Sequence, residues 1–260
     1  MKKFIATYWK TLLFFAIVGL VGGFFVGLYA IASYPADILE QLIDEMAKIG
    51  LGEIPVSLFL AVVTAVQSVG YGVVLGALGI FFGKKTGLWK DEKTIVKKPL
   101  IIALIIAFVC GIAMILPDVF FFSSRFETIK NSYAEKPTIA YMLASVTYGA
   151  VIEEVMLRLF FLSFVAFVLQ KIFEKRSEFP STKLLMIANV ISAVLFATGH
   201  LPFTLLAIGS SPLIIFRCFL LNGGLGLAFG YLYRKFGLRY AMIAHGGCHI
   251  VSKLIWILFI

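Results

Sequence analysis

LIIALIIAFVCGIAMILPDVFFFS, residues 100–123, is an almost unbroken apolar run, and its reading decides the fold. A helix needs roughly 20 mostly apolar residues to cross the hydrocarbon core of a bilayer, so this stretch is long enough to span one. Working outward from it, the same length and character recur at 11–34, 55–83, 139–170, 184–203, 212–233 and 240–260. The chain of 260 residues is 61% hydrophobic and only 14% charged, far outside globular composition. The sequence therefore predicts an all-α fold, a polytopic transmembrane helix bundle of about seven spans. It fills residues 1–260 as a single membrane domain and leaves almost nothing for a soluble one.

The charges between the runs set an orientation, because cytoplasmic loops are richer in Lys and Arg than loops facing away. Lys2, Lys3 and Lys10 precede the first span. Lys84, Lys85, Lys90, Lys93, Lys97 and Lys98 follow the second, Lys171, Lys175, Arg176 and Lys183 the fourth, and Arg234, Lys235 and Arg239 the sixth. The intervening loops hold only Lys48, Arg125, Lys130 and Lys136, and the first of them is acidic through Asp37, Glu40, Asp44, Glu45 and Glu53. This alternation predicts a cytoplasmic N-terminus and an external C-terminus. It also assigns the net charge of +9 to topology and contact with anionic membrane lipid, so nucleic acid is not an expected partner. The small pair Ala30 and Ala32 mimics a signal-peptidase site, but the preceding apolar run is too long for a typical signal and reads as an uncleaved first helix. Cys110, Cys218 and Cys248 all lie in apolar stretches and offer neither a disulfide framework nor a CxxC pair.

Smaller patterns fill in the picture. Residues 36–50 place Ile38, Leu39, Leu42, Ile43, Met46 and Ile49 at helical spacing among acids, which predicts an amphipathic surface helix. Gly23 and Gly27 stand in GxxxG spacing and Gly223, Gly224, Gly226 and Gly230 crowd the sixth span, where small residues let helices approach closely in lipid. No internal repeat is visible, which disfavours a transporter of inverted halves.

Ionisable groups at bilayer depth cost roughly 2.5–3.5 kcal/mol each on insertion scales, so those present must be paired or used. The fourth span carries Glu153, Glu154 and Arg158, the fifth ends near His200, the sixth holds Arg217, and the seventh holds His245, His249 and Lys253. Every histidine of the chain is among them. Glu154 and Arg158, four apart, can neutralise one another. Glu153 is rotated by about 100° onto the stripe of Ser145 and Gly149 and is left for other work. Ser192, Phe196 and His200 align on the fifth helix, with Asn189 beside them, and His245 and His249 align on the seventh. A carboxylate and imidazoles together can polarise water toward an amide, while other donors stabilise the oxyanion. The bland alternative is an ion pair and helix-bridging hydrogen bonds.

These residues also form recognisable motifs. EEVMLR (Glu153 to Arg158), FATGH (Phe196 to His200) and HGGCH (His245 to His249), in that order on successive spans, resemble the three motifs of the CAAX-protease and bacteriocin-processing (Abi) family of intramembrane proteases, to which the Rce1-type prenyl-protein proteases belong. The stretch NGGLGLAFGYLYRKFGLRYAMIAH looks like the family's run between its second and third motifs. The resemblance covers about residues 139–255, and residues 1–138 carry no signature. It implies that Glu153 and His200 activate water, that His245 and residue 249 form the oxyanion site, and that Glu154, Arg158 and Phe196 support them structurally. At position 249 the family has Asn or Asp where this chain has His, which can donate as an amide does. Three histidines and a carboxylate could instead ligate Zn²⁺, with Glu153, His200, His245 and His249 as the ligands; the expectation is a site without a cofactor.

Helix arithmetic leaves one difficulty. At 1.5 Å per residue, Glu153 and His200 lie roughly 25 Å from the nearest basic loop and His245 only about 9 Å. Helix tilt, extension of the fourth and fifth helices into the cytoplasm, or a break at Gly246 and Gly247 would close the gap.

Other functions remain open at this stage. They are a cysteine peptidase using Cys248 with His245, a non-catalytic immunity or scaffold protein, and a proton-relay transporter. The expected substrate is a membrane-associated peptide or protein, and the compact, Lys-rich chain suggests a prokaryotic cell membrane.

Overall fold

A computed structural model describes residues 2–91 and 94–260. Lys93, assigned above to the second basic loop, lies outside the described residues. Among those described, the regular structure is helical throughout: α1 (Lys2–Ala30), α2 (Ala36–Lys48), α3 (Val56–Lys85), α4 (Lys97–Phe122), α5 (Glu127–Ala134), α6 (139–173), α7 (Thr182–Ile208), α8 (Pro212–Phe236) and α9 (Leu238–Phe259). Six of these, α1, α3, α4, α7, α8 and α9, are long and apolar enough to cross a membrane. The fourth expected span, α6, forms a continuous helix but carries Glu153, Glu154 and Arg158 at its middle. The protein is an integral membrane protein, and the count of about seven holds when α6 is included.

The bundle is packed inside out relative to a soluble protein. On α4, Ile101, Leu104, Ile105, Phe108 and Val109 are exposed, whereas Ala103, Ala107, Cys110 and Gly111 are buried. Large side chains meet lipid and small ones meet neighbouring helices, as expected where lipid removes the hydrophobic drive for helix association. The GxxxG expectation holds on α1: a Cβ at Gly23 would lie 2.4 Å from the Thr64 carbonyl oxygen, and one at Gly27 2.5 Å from Ala61 Cα. Thr64 then donates to the Gly23 carbonyl at 2.6 Å. Gly226 and Gly230 of α8 lie similarly close to Ala193 and Asn189 of α7, while Gly224 faces open space. The core joins these contacts through Ile80, Leu159, Leu162, Phe229, Tyr233 and Tyr240. The expected amphipathic helix is α2, with only Met46 buried.

The depth difficulty is resolved without a broken helix, since α9 runs unbroken through Gly246 and Gly247. Gly79 of α3 packs against Leu159 and Phe160 of α6. From there α3 ends at Lys85, whereas α6 continues to Phe173, about 10 Å further at 1.5 Å per residue. On α7, Ser192 donates to the Leu157 carbonyl, which puts Phe196 opposite Glu153 in an antiparallel pair. His200 lies a turn beyond, and its ring leans back over that turn, as side chains on a helix do. The extension of α6 and this reach take up much of the mismatch. α7 itself runs on through Pro202 to Ile208, so His200 lies well inside the helix and not at its end.

Candidate active site

The middle of α6 is wound with wider i→i+5 hydrogen bonding over Ser145–Glu153 and again over Val155–Leu162. Such π segments are rare and commonly mark functional positions. Here the winding meets the two acids, whose carboxylates bracket His245 from opposite sides. Glu154 Oε1 accepts from His245 Nδ1 at 2.8 Å, and Glu153 Oε2 stands 3.9 Å from His245 Nε2. The other Glu153 oxygen, Oε1, is 3.9 Å from His200 Nε2.

Glu154 and Arg158 form the expected pair, with Oε1 2.9 Å from Nη1, and both are fully buried. Arg158 Nη2 donates to the Gly226 carbonyl at 3.2 Å, and its guanidinium lies 4.6 Å from the Phe196 ring centre and 5.6 Å from that of Phe229. Phe196 thus supports the site through a cation–π contact. Glu154 Oε2 has no hydrogen-bond partner among the described residues.

The imidazoles are held by distinct partners. His200 Nδ1 lies 2.9 Å from the Phe196 carbonyl. That oxygen can only accept, so in the neutral ring Nδ1 carries the proton and Nε2 offers a lone pair toward Glu153. His245 is clamped flat by Phe229, ring centres 4.6 Å apart, and stacks on His249 at 5.0 Å. His249 has its Nδ1 3.4 Å from Lys253 Nζ. Its Nε2 faces Gly149, where a Cβ would stand only 3.3 Å away. The outer members are the accessible ones: the Glu153 side chain is 18% exposed and that of His200 36%, against 3% for His245.

All four residues expected to do chemistry are therefore brought together, with Glu154, Arg158 and Phe196 behind them. For Zn²⁺ the fit is poor. Tetrahedral nitrogen and oxygen ligands stand about 3.3 Å apart, whereas the Glu153–imidazole pairs stand at 3.9 Å and His249 Nδ1 faces an ammonium. No group of three or more His, Cys, Asp or Glu among the described residues is placed to hold a metal ion. Cys248 is fully buried in the core cluster with Cys110 and Ala103. That environment disfavours the cysteine-peptidase alternative.

The sequence reading missed Phe229 and also Asp118, which lies inside the opening apolar run. Asp118 accepts from Arg217 Nε at 2.6 Å, from Arg217 Nη2, and from the Tyr133 hydroxyl at 3.0 Å. Burial, followed by the charge of Asp118, raises the Tyr133 pKa and keeps this hydroxyl a donor. An isolated Asp in an otherwise apolar span was the available signal.

Fold and site together define a polytopic membrane protein with a carboxylate–imidazole centre among its helices. Residues 135–251 match the model of a family described as type II CAAX prenyl endopeptidase Rce1-like. The match takes in both acids, Arg158 and all three histidines. Comparisons with curated proteins and with solved structures give no match.

Proposed function

We propose that the protein is an intramembrane endopeptidase of glutamate type, cleaving a membrane-associated peptide or membrane-protein segment with water activated by Glu153 and His200. The observation that carries this reading is the pair of 3.9 Å separations from the two Glu153 oxygens to His200 Nε2 and His245 Nε2. Each is too long for a hydrogen bond and short enough for one water to bridge. Such a water donates one proton to Glu153 and the other to the lone pair of His200 Nε2. Its oxygen attacks the amide carbonyl carbon while Glu153 takes the proton. Collapse of the tetrahedral intermediate breaks the C–N bond, the proton on Glu153 passes to the leaving nitrogen to give an amine, and the remaining hydroxyl proton passes to His200 Nε2 to leave a carboxylate. His249 turns Nε2 to the same gap as an oxyanion donor, and His245, whose Nδ1–H is held by Glu154, joins it from Nε2 only when both of its ring nitrogens carry protons. Arg158, within cation–π reach of Phe196 and Phe229, keeps Glu154 in place.

The basic ends of α3, α6 and α8 face the cytoplasm in this reading, as does the N-terminus, and the site opens on the Glu153–His200 side. The test is a mass-spectrometric comparison of membrane peptides from cells carrying the native protein or Glu153→Ala at equal abundance. Fragments present only with the native protein are expected. If the two peptide sets coincide while the biological effect persists, the protein is a scaffold or immunity factor. Solute movement in liposomes without fragments would make it a transporter.

A further inference from the structure

Among the described residues, Lys253 is the one cation beside the site that the reaction above does not use. It is 4% exposed and sits one turn after His249 on α9. Its Nζ has the His249 Nδ1 at 3.4 Å and the face of the Tyr141 ring, which is itself stacked on Tyr29, at 4.2 Å. No Asp or Glu among the described residues pairs with it within 4 Å. A buried cation without a counter-ion is costly enough to need a purpose.

An ammonium has three donors and no acceptor. It can therefore approach Nδ1 of a histidine only when that nitrogen is bare, and a neutral imidazole with a bare Nδ1 carries its proton on Nε2. The Nε2 of His249 faces Gly149, one turn before Glu153 on α6, and the His245 Nε2 looks at the same spot: a Cβ at Gly149 would stand 3.3 Å from the first and 3.8 Å from the second. His249 is thus the mirror image of His200. In His200 a carbonyl holds the proton on Nδ1 and leaves Nε2 as an acceptor toward the water. In His249 an ammonium empties Nδ1 and makes Nε2 a donor.

We propose that Lys253 is a positioning residue: its ammonium fixes His249 in the Nε2–H tautomer, so that this ring donates to the oxyanion in the space beside Gly149. The proposal rests on the peptidase reading for the identity of the oxyanion, but not for the tautomer. Without Lys253 the ring is free to move its proton to Nδ1 and present a lone pair to a developing negative charge, which is repulsive.

The experiment therefore has two arms. In ¹⁵N-histidine-labelled protein in detergent micelles, the His249 resonance is expected to show a protonated Nε2 and a bare Nδ1. Lys253→Arg retains that pattern and Lys253→Met loses it. A native His249 protonated on Nδ1 overturns the proposal whatever the protein's activity. In peptide-release assays Lys253→Met is expected to lower kcat at least about tenfold, in the range of a weakened oxyanion donor. His249→Asn supplies an amide N–H that has no tautomer to set. Lys253→Met added to it should change kcat by no more than about twofold. An equal loss in both backgrounds would mean that Lys253 only supports the fold. If Glu153→Gln retains peptide release, the peptidase reading fails while the resonance arm still decides the tautomer.

Discussion

Two buried polar clusters in this bundle use the same ingredients in opposite ways. In one, Asp118 meets Arg217 through both carboxylate oxygens and accepts the Tyr133 hydroxyl as well. In the other, Glu154 leaves one oxygen without a partner, and Glu153 accepts no hydrogen bond from a described residue, standing 3.9 Å from two imidazoles. A saturated cluster has nothing left to give a substrate, and its worth lies in holding α4, α5 and α8 together. An unsaturated one keeps a polar gap inside apolar surroundings, a costly state that makes sense where water and an amide must enter. Partner count, more than charge or burial, separates scaffold from chemistry.

The largest effect that would break this distinction is at Glu153. Glu153→Gln preserves shape and removes the base, so peptide release should fall by about 10³-fold or more, while the thermal midpoint of the detergent-solubilised protein stays within a degree or two of native. Unfolding of the variant, with activity per folded molecule intact, would move Glu153 into the scaffold class.

Asp118→Asn should do the reverse. It leaves Arg217 without its counter-charge, at a stability cost of about 3 kcal/mol, with activity per folded molecule unchanged. Replacing both partners by apolar residues, Asp118→Leu with Arg217→Met, should recover most of that loss, because a buried pair exchanged for well-packed hydrophobes is often neutral. Denaturation monitored by intrinsic fluorescence and activity on the same samples separate the two readouts. A loss of activity without a loss of stability would place Asp118 in the chemistry.

Much of the open cluster, and of the saturated one only Arg217, could be read from the chain before any coordinates. The apolar runs gave the spans, the four-residue spacing of Glu154 and Arg158 gave their pairing, and GxxxG at Gly23 and Gly27 gave the α1–α3 contact. What escaped shares a physical cause. Asp118 and Arg217 are 99 residues apart, so nothing local links them. Phe229 is one aromatic among many on α8 until α9 folds back and lays His245 on its face. The π winding of 145–162 changes hydrogen-bond register without changing the apolar pattern from which helices are recognised. Cβ direction, invisible to residue counting, is part of why depths that disagreed along the chain agree in space.

A smaller effect sharpens the picture of the open cluster. Gly149→Ala would set a methyl 3.3 Å from His249 Nε2, close enough that the ring must give by a few tenths of an ångström. The expected outcome is a roughly tenfold fall in kcat with KM nearly unchanged, because a misplaced donor is felt mainly in the transition state. Stability should change little, since the displaced ring borders the polar gap. A rise in KM alone would assign Gly149 to substrate binding.

The smallest expected effect concerns metal. If the gap around Glu153 holds water directly, prolonged dialysis against a membrane-permeant chelator leaves peptide release unchanged, and added Zn²⁺ does not raise it. The geometry favours that outcome: His249 Nδ1 faces the Lys253 ammonium, a neighbour that repels a divalent cation, and the carboxylate–imidazole distances exceed those within a tetrahedral ligand set. Activity lost on chelation and restored by Zn²⁺ would show that the open cluster is completed by a cation. Its apparent lack of partners would then be a vacant ligand set, and the contrast with Asp118 and Arg217 would be one of occupancy and not of design.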